Sequence, residues 1–118
     1  MLDIADDTFL VAAVAAVADV VRDPASWRAW WPDLALTVTQ DRGVAGMRWT
    51  VDGSVVGSME IWLEPVGAGT VLHWFLRADP SAARSPRRLA RARERRVRGW
   101  KAQVFALKDR LERAEKVT

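Results

Sequence analysis

The chain has no cysteine, no tyrosine and a single histidine, and each scarcity removes a class of chemistry. Without cysteine there is no disulfide, no thiolate metal site, no cysteine nucleophile and no iron–sulfur cluster. With His73 as the only imidazole, no multi-histidine metal centre can be assembled, and any catalytic triad would have to use that residue. Long apolar runs are missing as well. The best candidate, Phe9 to Val21, reads FLVAAVAAVADVV, but Asp19 interrupts it short of the roughly 20 residues that a bilayer span needs. Asp3, Asp6 and Asp7 precede it where a signal peptide carries positive charge. The sequence therefore reads as a soluble cytoplasmic protein without a transmembrane segment.

What is present fits one domain, residues 1–118, because 118 residues leave no length for a second core. Half of the residues are apolar and 28% are charged, which is the composition of a folded globule and not of a disordered chain. The net charge of +3 conceals a polarity. Residues 1–80 hold 5 Arg and no Lys against 11 acids, a net −6, while residues 81–118 hold 13 Lys and Arg against 4 acids, a net +9. Such a chain either attracts itself, acidic body to basic tail, or offers the tail to an anionic partner.

Hydrophobic period divides the chain into elements. Thr8 to Ala12 is a short β-rich run, followed by Val14, Val17, Val20 and Val21 at helical spacing. Asp23 suits an N-cap with Pro24 at the first helical position, which starts a second short helix carrying Trp27, Trp30 and Trp31 and ending before Pro32. From Leu34 the period becomes 2: Leu34, Leu36 and Val38, then Met47, Trp49 and Val51, alternate with polar or small residues, with Gly43 to Gly46 as the turn between them. Asp52-Gly53 is the strongest two-residue hairpin signal. A strand from Ser54 to Glu64 and another from Thr70 to Arg77 follow, joined across Gly67 and Gly69.

Parity fixes how the last two strands face. Val55, Gly57, Met59, Ile61 and Leu63 form one apolar set, and Leu72, Trp74 and Leu76 form the other. Pairing odd with even positions requires an even-numbered loop, which either Gly67-Ala68 or Val66 to Gly69 supplies. His73 then lies opposite Trp62 on the outer face, with Arg48 and Glu60 also directed outward, so the interior lacks an evident acid/base pair. Past Pro80, Ser85 is the N-cap and Pro86 the first residue of about thirty residues of helix. Leu89, Val97, Trp100, Val104, Leu107, Leu111 and Ala114 make one apolar stripe, interrupted at Arg93. The helix thus has a packing half and an arginine half, Arg87 to Arg98. At roughly 45 Å it outruns a five-stranded sheet about 24 Å wide, so the arginine half should overhang or meet the acidic body.

A strand, a two-helix elbow, a run of antiparallel strands and a long closing helix resembles the order of the helix-grip fold. DPASWRAWWPDL (Asp23 to Leu34) resembles the Asp…Trp…Pro segment of the polyketide cyclase/dehydrase and lipid transport family, within the START-like, Bet v 1-like superfamily also called SRPBCC. GTVLHWFLRADP (Gly69 to Pro80) is similar to its final strand, and FALKDRLE (Phe105 to Glu112) to its closing helix. The resemblance covers nearly the whole chain and implies an α+β fold in which a curved antiparallel sheet of five to six strands wraps the C-terminal helix and leaves a hydrophobic cavity. Family members usually have six or seven strands, so this short member should have a small cavity.

The expected function is binding of a small hydrophobic molecule, lipid-like or polyketide-like, between the sheet and the final helix. The expected lining is Trp30, Trp49, Val51, Met59, Ile61, Leu72, Trp74, Trp100 and Val104, while the Trp27, Trp30 and Trp31 cluster either caps the pocket end or packs the elbow onto the sheet. Gly99 beside Trp100 either serves close packing or leaves space at the pocket mouth. No catalytic residue, cofactor or metal is assigned. Two alternatives remain: a cyclase/dehydratase-type enzyme, which needs a polar group inside the cavity, and a non-enzymatic interaction protein. The latter would use Arg87 to Arg98 on an acidic partner or anionic lipid, or form a homodimer through the outer sheet face. Nucleic acid is disfavoured because no helix-turn-helix, zinc finger or RNP pattern accompanies the arginines.

Overall fold

A computed structural model describes the backbone of residues 1–117 and the side chains of residues 1–115. The chain opens with strand β1 (Leu2–Leu10), earlier than the expected Thr8 to Ala12. Its alternation was disguised by Asp3, Asp6 and Asp7; Leu2, Ile4, Thr8 and Leu10 nonetheless turn inward while Asp3, Asp7 and Phe9 face out. Two short helices follow, α1 (Val14–Val21) and α2 (Pro24–Trp30). No side chain caps α1, which is held by burying Val17, Ala18 and Val21. The cap read for α2 is present: the Asp23 carboxylate accepts a 2.9 Å hydrogen bond from the Ala25 amide, with Pro24 opening the helix.

Strand β2 (Leu34–Asp41), a 3-10 turn at Gly43–Ala45, and strands β3 (Gly46–Gly53), β4 (Val55–Val66) and β5 (Gly69–Pro80) complete one antiparallel sheet in the order β1-β5-β4-β3-β2. The register between β4 and β5 is the one parity required, with Met59 opposite Leu76, Ile61 opposite Trp74 and Trp62 opposite His73. Its turn is Gly67-Ala68, and only Gly67 has positive φ, +58°, the sign pattern of a II′ hairpin.

The Asp52-Gly53 expectation is corrected. A I′ turn needs positive φ at both central residues, yet Asp52 does not adopt it and Gly53 stands at +116°. The ladder between β3 and β4 stops at Val51 and Gly57. Beyond it Asp52 and Gly53 pair with β2, whereas Val55 and Val56 pair with β5. The two strands are drawn apart by their outer neighbours, and the sheet opens at this end.

Helix α3 (Pro86–Val117) runs 32 residues, which at about 1.5 Å per residue accounts for the 49 Å long axis of the molecule. The Ser85 hydroxyl accepts from the Arg88 amide at 3.3 Å, as expected of its N-cap. Val97, Trp100, Val104, Leu107 and Leu111 pack on the sheet, continuing through Leu89. The stripe does not pass through Arg93, which is exposed; Ala92 and Arg96 occupy the inward positions. Polar clamps hold the helix along its length. Arg96 meets Asp33, Lys101 meets Asp6 at 2.7 Å, Lys108 donates to the Phe9 carbonyl at 2.9 Å, and Glu112 accepts from the Val11 amide at 2.8 Å. The acidic body does attract the basic tail, through a few particular residues.

Candidate functional site

Six of the seven tryptophans join into one cluster between sheet and helix. Trp74 of β5 stacks on Trp100 at 5.1 Å, Trp31 also stacks on Trp100 at 5.7 Å, and Trp30 meets Trp100 edge-on at 5.7 Å. Trp31 and Trp27 continue the chain of rings to Trp49 on β3, at 5.8 Å and 5.3 Å. Each ring can bury about 150–250 Å², worth several kcal/mol at about 25 cal/mol per Å². The elbow puts three indoles over a sheet that already presents two, so the middle of the grip is filled.

The predicted lining therefore divides. Trp49, Val51, Met59, Ile61, Leu72, Trp74 and Val104 lie in the packed interior, and none of them lines the space at the end where the sheet opens. Trp30 and Trp100 instead wall a cleft of about 280 Å³ at the end where the sheet opens. Trp31, Leu2, Val55, Pro80 and Leu89 supply the rest of its apolar surface, and Asp33, Ser54, Arg95 and Arg96 its polar edge. Gly99 lines the same cleft, and a Cβ placed there would meet no atom within 4 Å. Close packing is thus not what requires this glycine; it borders open space.

Asp33 organises the polar edge. Arg96 grips its carboxylate with two nitrogens, at 3.0 Å and 2.7 Å, and the Ser54 hydroxyl donates to the same group. The Arg96 hydrogen bonds, helped by Ser54 and opposed by partial burial, hold Asp33 down to about 2. A carboxylate that acidic is a weak proton acceptor at neutral pH, so it is suited to pinning α3 to the sheet end and not to activating Ser54.

Sequence reasoning missed an interior acid. Asp6 points to the concave side, its side chain 13% exposed, where it accepts from Lys101 at 2.7 Å and from the Trp100 indole at 3.2 Å. The signal was there: Asp6 occupies an even position in the alternation of Leu2, Ile4, Thr8 and Leu10. Arg96 was equally legible, lying seven residues after Leu89 and four before Trp100 on the buried stripe. Two further polar groups are deeply placed. The indole nitrogens of Trp49 and Trp74 are buried with no hydrogen-bond partner, at a cost of about 1–3 kcal/mol each.

On the outer face His73 lies where parity put it. Its Nδ1 is 2.6 Å from Asp7 and its Nε2 3.0 Å from Glu64, while its ring stacks on Trp62 at 4.4 Å. Burial pulls the imidazole down, but the hydrogen bonds to Glu64 and Asp7 outweigh it and leave its pKa above the ordinary value. Among the described residues no group of three metal-ligating side chains comes together, and no helix is long and apolar enough to cross a membrane.

No protein-family model matches the chain, and no curated protein matches it. Solved structures do. A Deinococcus radiodurans protein superposes with a TM-score of 0.71 at 12% identity, covering 97% of this chain and 99% of that one. The Aha1 dimer from Colwellia psychrerythraea gives 0.67 at 16%, covering 95% and 97%. A START superfamily protein from Mycobacterium smegmatis gives 0.62 at 10%, covering 95% and 98%. Likeness at such identities speaks to architecture, and it agrees with the strand order, the elbow and the gripped helix: this chain has a helix-grip fold, the architecture it shares with those structures.

Proposed function

We propose that the protein binds a small, largely apolar molecule in the cleft between the open end of the sheet and the first half of α3. One observation carries this reading: six indoles fill the middle of the grip, and beside Gly99 three of them face a space of about 280 Å³. That volume is near the lower edge of the roughly 300–1,000 Å³ typical of ligand pockets. A modest guest fits, or a longer one that leaves part of its body outside. Burial of its apolar surface against Trp30, Trp31 and Trp100 supplies the driving force. Trp74 behind Trp100, and Trp49 behind Trp31, keep those rings in place, while Val51, Met59, Ile61, Leu72 and Val104 form the packing beneath. The cyclase/dehydratase alternative lacks comparable support, since the carboxylate at the cleft is held by Arg96.

Two measurements test the reading. Native mass spectrometry of freshly purified protein, before and after organic extraction, should reveal a small-molecule mass that extraction removes. Titration with dodecanol should give a saturable change in tryptophan fluorescence that Gly99→Leu abolishes. Absence of both a bound mass and a saturable response would refute it.

A further inference from the structure

Immediately beside the aromatic cleft lies a second groove of about 420 Å³, lined by Ala82 and Ala83 together with Arg84, Arg88, Arg91 and Arg95. Arg84 and Arg95 border both spaces, so the groove continues the cleft. All four arginines are exposed, and among the described residues none of them forms an ion pair. Arg96, the neighbour that turns inward, takes Asp33.

This arrangement works against the free protein. Arg88 and Arg91 are spaced i, i+3 and Arg91 and Arg95 i, i+4, and like charges at those spacings destabilise a helix. Arg88 also sits in the first turn of α3, which contains no acid, at the positive end of the helix dipole. An anion placed among them would relieve both penalties at once, and guanidinium groups form strong paired hydrogen bonds to planar or tetrahedral oxyanions.

We infer that the guest of the aromatic cleft is an anionic amphiphile, with its apolar body against Trp30, Trp31 and Trp100 and its oxyanion head, carboxylate or phosphate, on Arg84, Arg88, Arg91 and Arg95. This inference rests on the cleft reading and adds the chemistry of the head. It also accounts for the size of the cleft, which has to hold only the part of the guest nearest the head.

The test uses four probes on the intact protein, below their micellar concentrations: dodecanoate, dodecyl phosphate, dodecanol and inorganic phosphate. Dodecanoate or dodecyl phosphate should bind at least about tenfold more tightly than dodecanol, with an advantage that shrinks as salt is raised. In the Arg88→Gln/Arg91→Gln variant that advantage should disappear while dodecanol affinity is kept. An Arg28→Gln/Arg110→Gln control, equal in net charge and remote from the groove, should retain it. Several results overturn the inference: an advantage that survives the groove variant or is lost equally in the control, or inorganic phosphate binding as tightly as dodecyl phosphate. Duplex DNA held by the same arginines, with the anions no better than dodecanol, also overturns it. If no probe binds, the cleft reading falls and this one with it; if dodecanol binds as well as the anions, only this inference falls.

Discussion

Replacing Gly99 with alanine should make the protein more stable, which is an unusual expectation for a glycine inside a helix that packs on a core. Gly99 is exposed, its φ is not in the positive range, and an added Cβ meets no atom within 4 Å. Only the helix preference then remains, about 1 kcal/mol in favour of alanine. At about 2.1 cal/mol/K per residue the melting entropy of 118 residues is roughly 250 cal/mol/K, so the midpoint should rise by about 4 °C. Circular dichroism melts of the two proteins measure this directly. Leucine forms helix nearly as well as alanine, but it projects four carbons toward a space of about 280 Å³. Gly99→Leu should therefore keep the fold and lose dodecanol binding, while Gly99→Ala should keep both. A lower midpoint for Gly99→Ala would mean that the glycine serves packing or bending after all. Undiminished binding by Gly99→Leu would place the guest elsewhere.

Gly57 should behave in the opposite way. Its added Cβ would stand 2.9 Å from the Ala78 Cβ and collide with the Arg77 carbonyl oxygen, so Gly57→Ala is expected to destabilise by about 1–3 kcal/mol in urea unfolding. Because His73 has a raised folded pKa, its charge contributes stability that is complete below about pH 6.5 and is lost as pH rises through the folded value. The stability difference between wild type and His73→Gln should accordingly shrink between mildly acidic and alkaline pH, and a difference independent of pH would refute the Asp7 and Glu64 pairing. Asp33 has the reverse sign, since its depressed pKa means that its stabilisation is present above about pH 4 and fades as pH falls toward about 2. Asp33→Asn should cost on the order of 1 kcal/mol at neutral pH, with the gap to wild type closing in acid; a gap that widened in acid would contradict the Arg96 clamp.

Local rules made much of this molecule readable. The Asp23 and Ser85 caps, an even-numbered turn across Gly67 and the parity that sets Trp62 against His73 depend on neighbours in sequence or on a period of two, and all four are present as expected; the structure chose Gly67-Ala68 over the longer Val66 to Gly69 loop. The misreadings had a common origin in distant partners. β1 was placed too late because its inward Asp6 looks like a break in the alternation until Lys101 and the Trp100 indole arrive to satisfy it. The Asp52-Gly53 turn failed because β2 and β5 pull the two strands apart, a competition that the dipeptide does not encode.

Residue order and period are enough to set the order of elements, which faces of the strands are apolar, the basic character of the first half of the last helix, and the supply of indoles to fill a core. How those indoles share the interior is settled by the folded chain alone. Ring packing depends on which residues are neighbours in three dimensions, and the elbow brings Trp27, Trp30 and Trp31 onto Trp49 and Trp100 across long sequence separations. That closure moved the open space from the middle of the grip to its end, beside Gly99 and the arginines, where periodicity alone had no means of placing it.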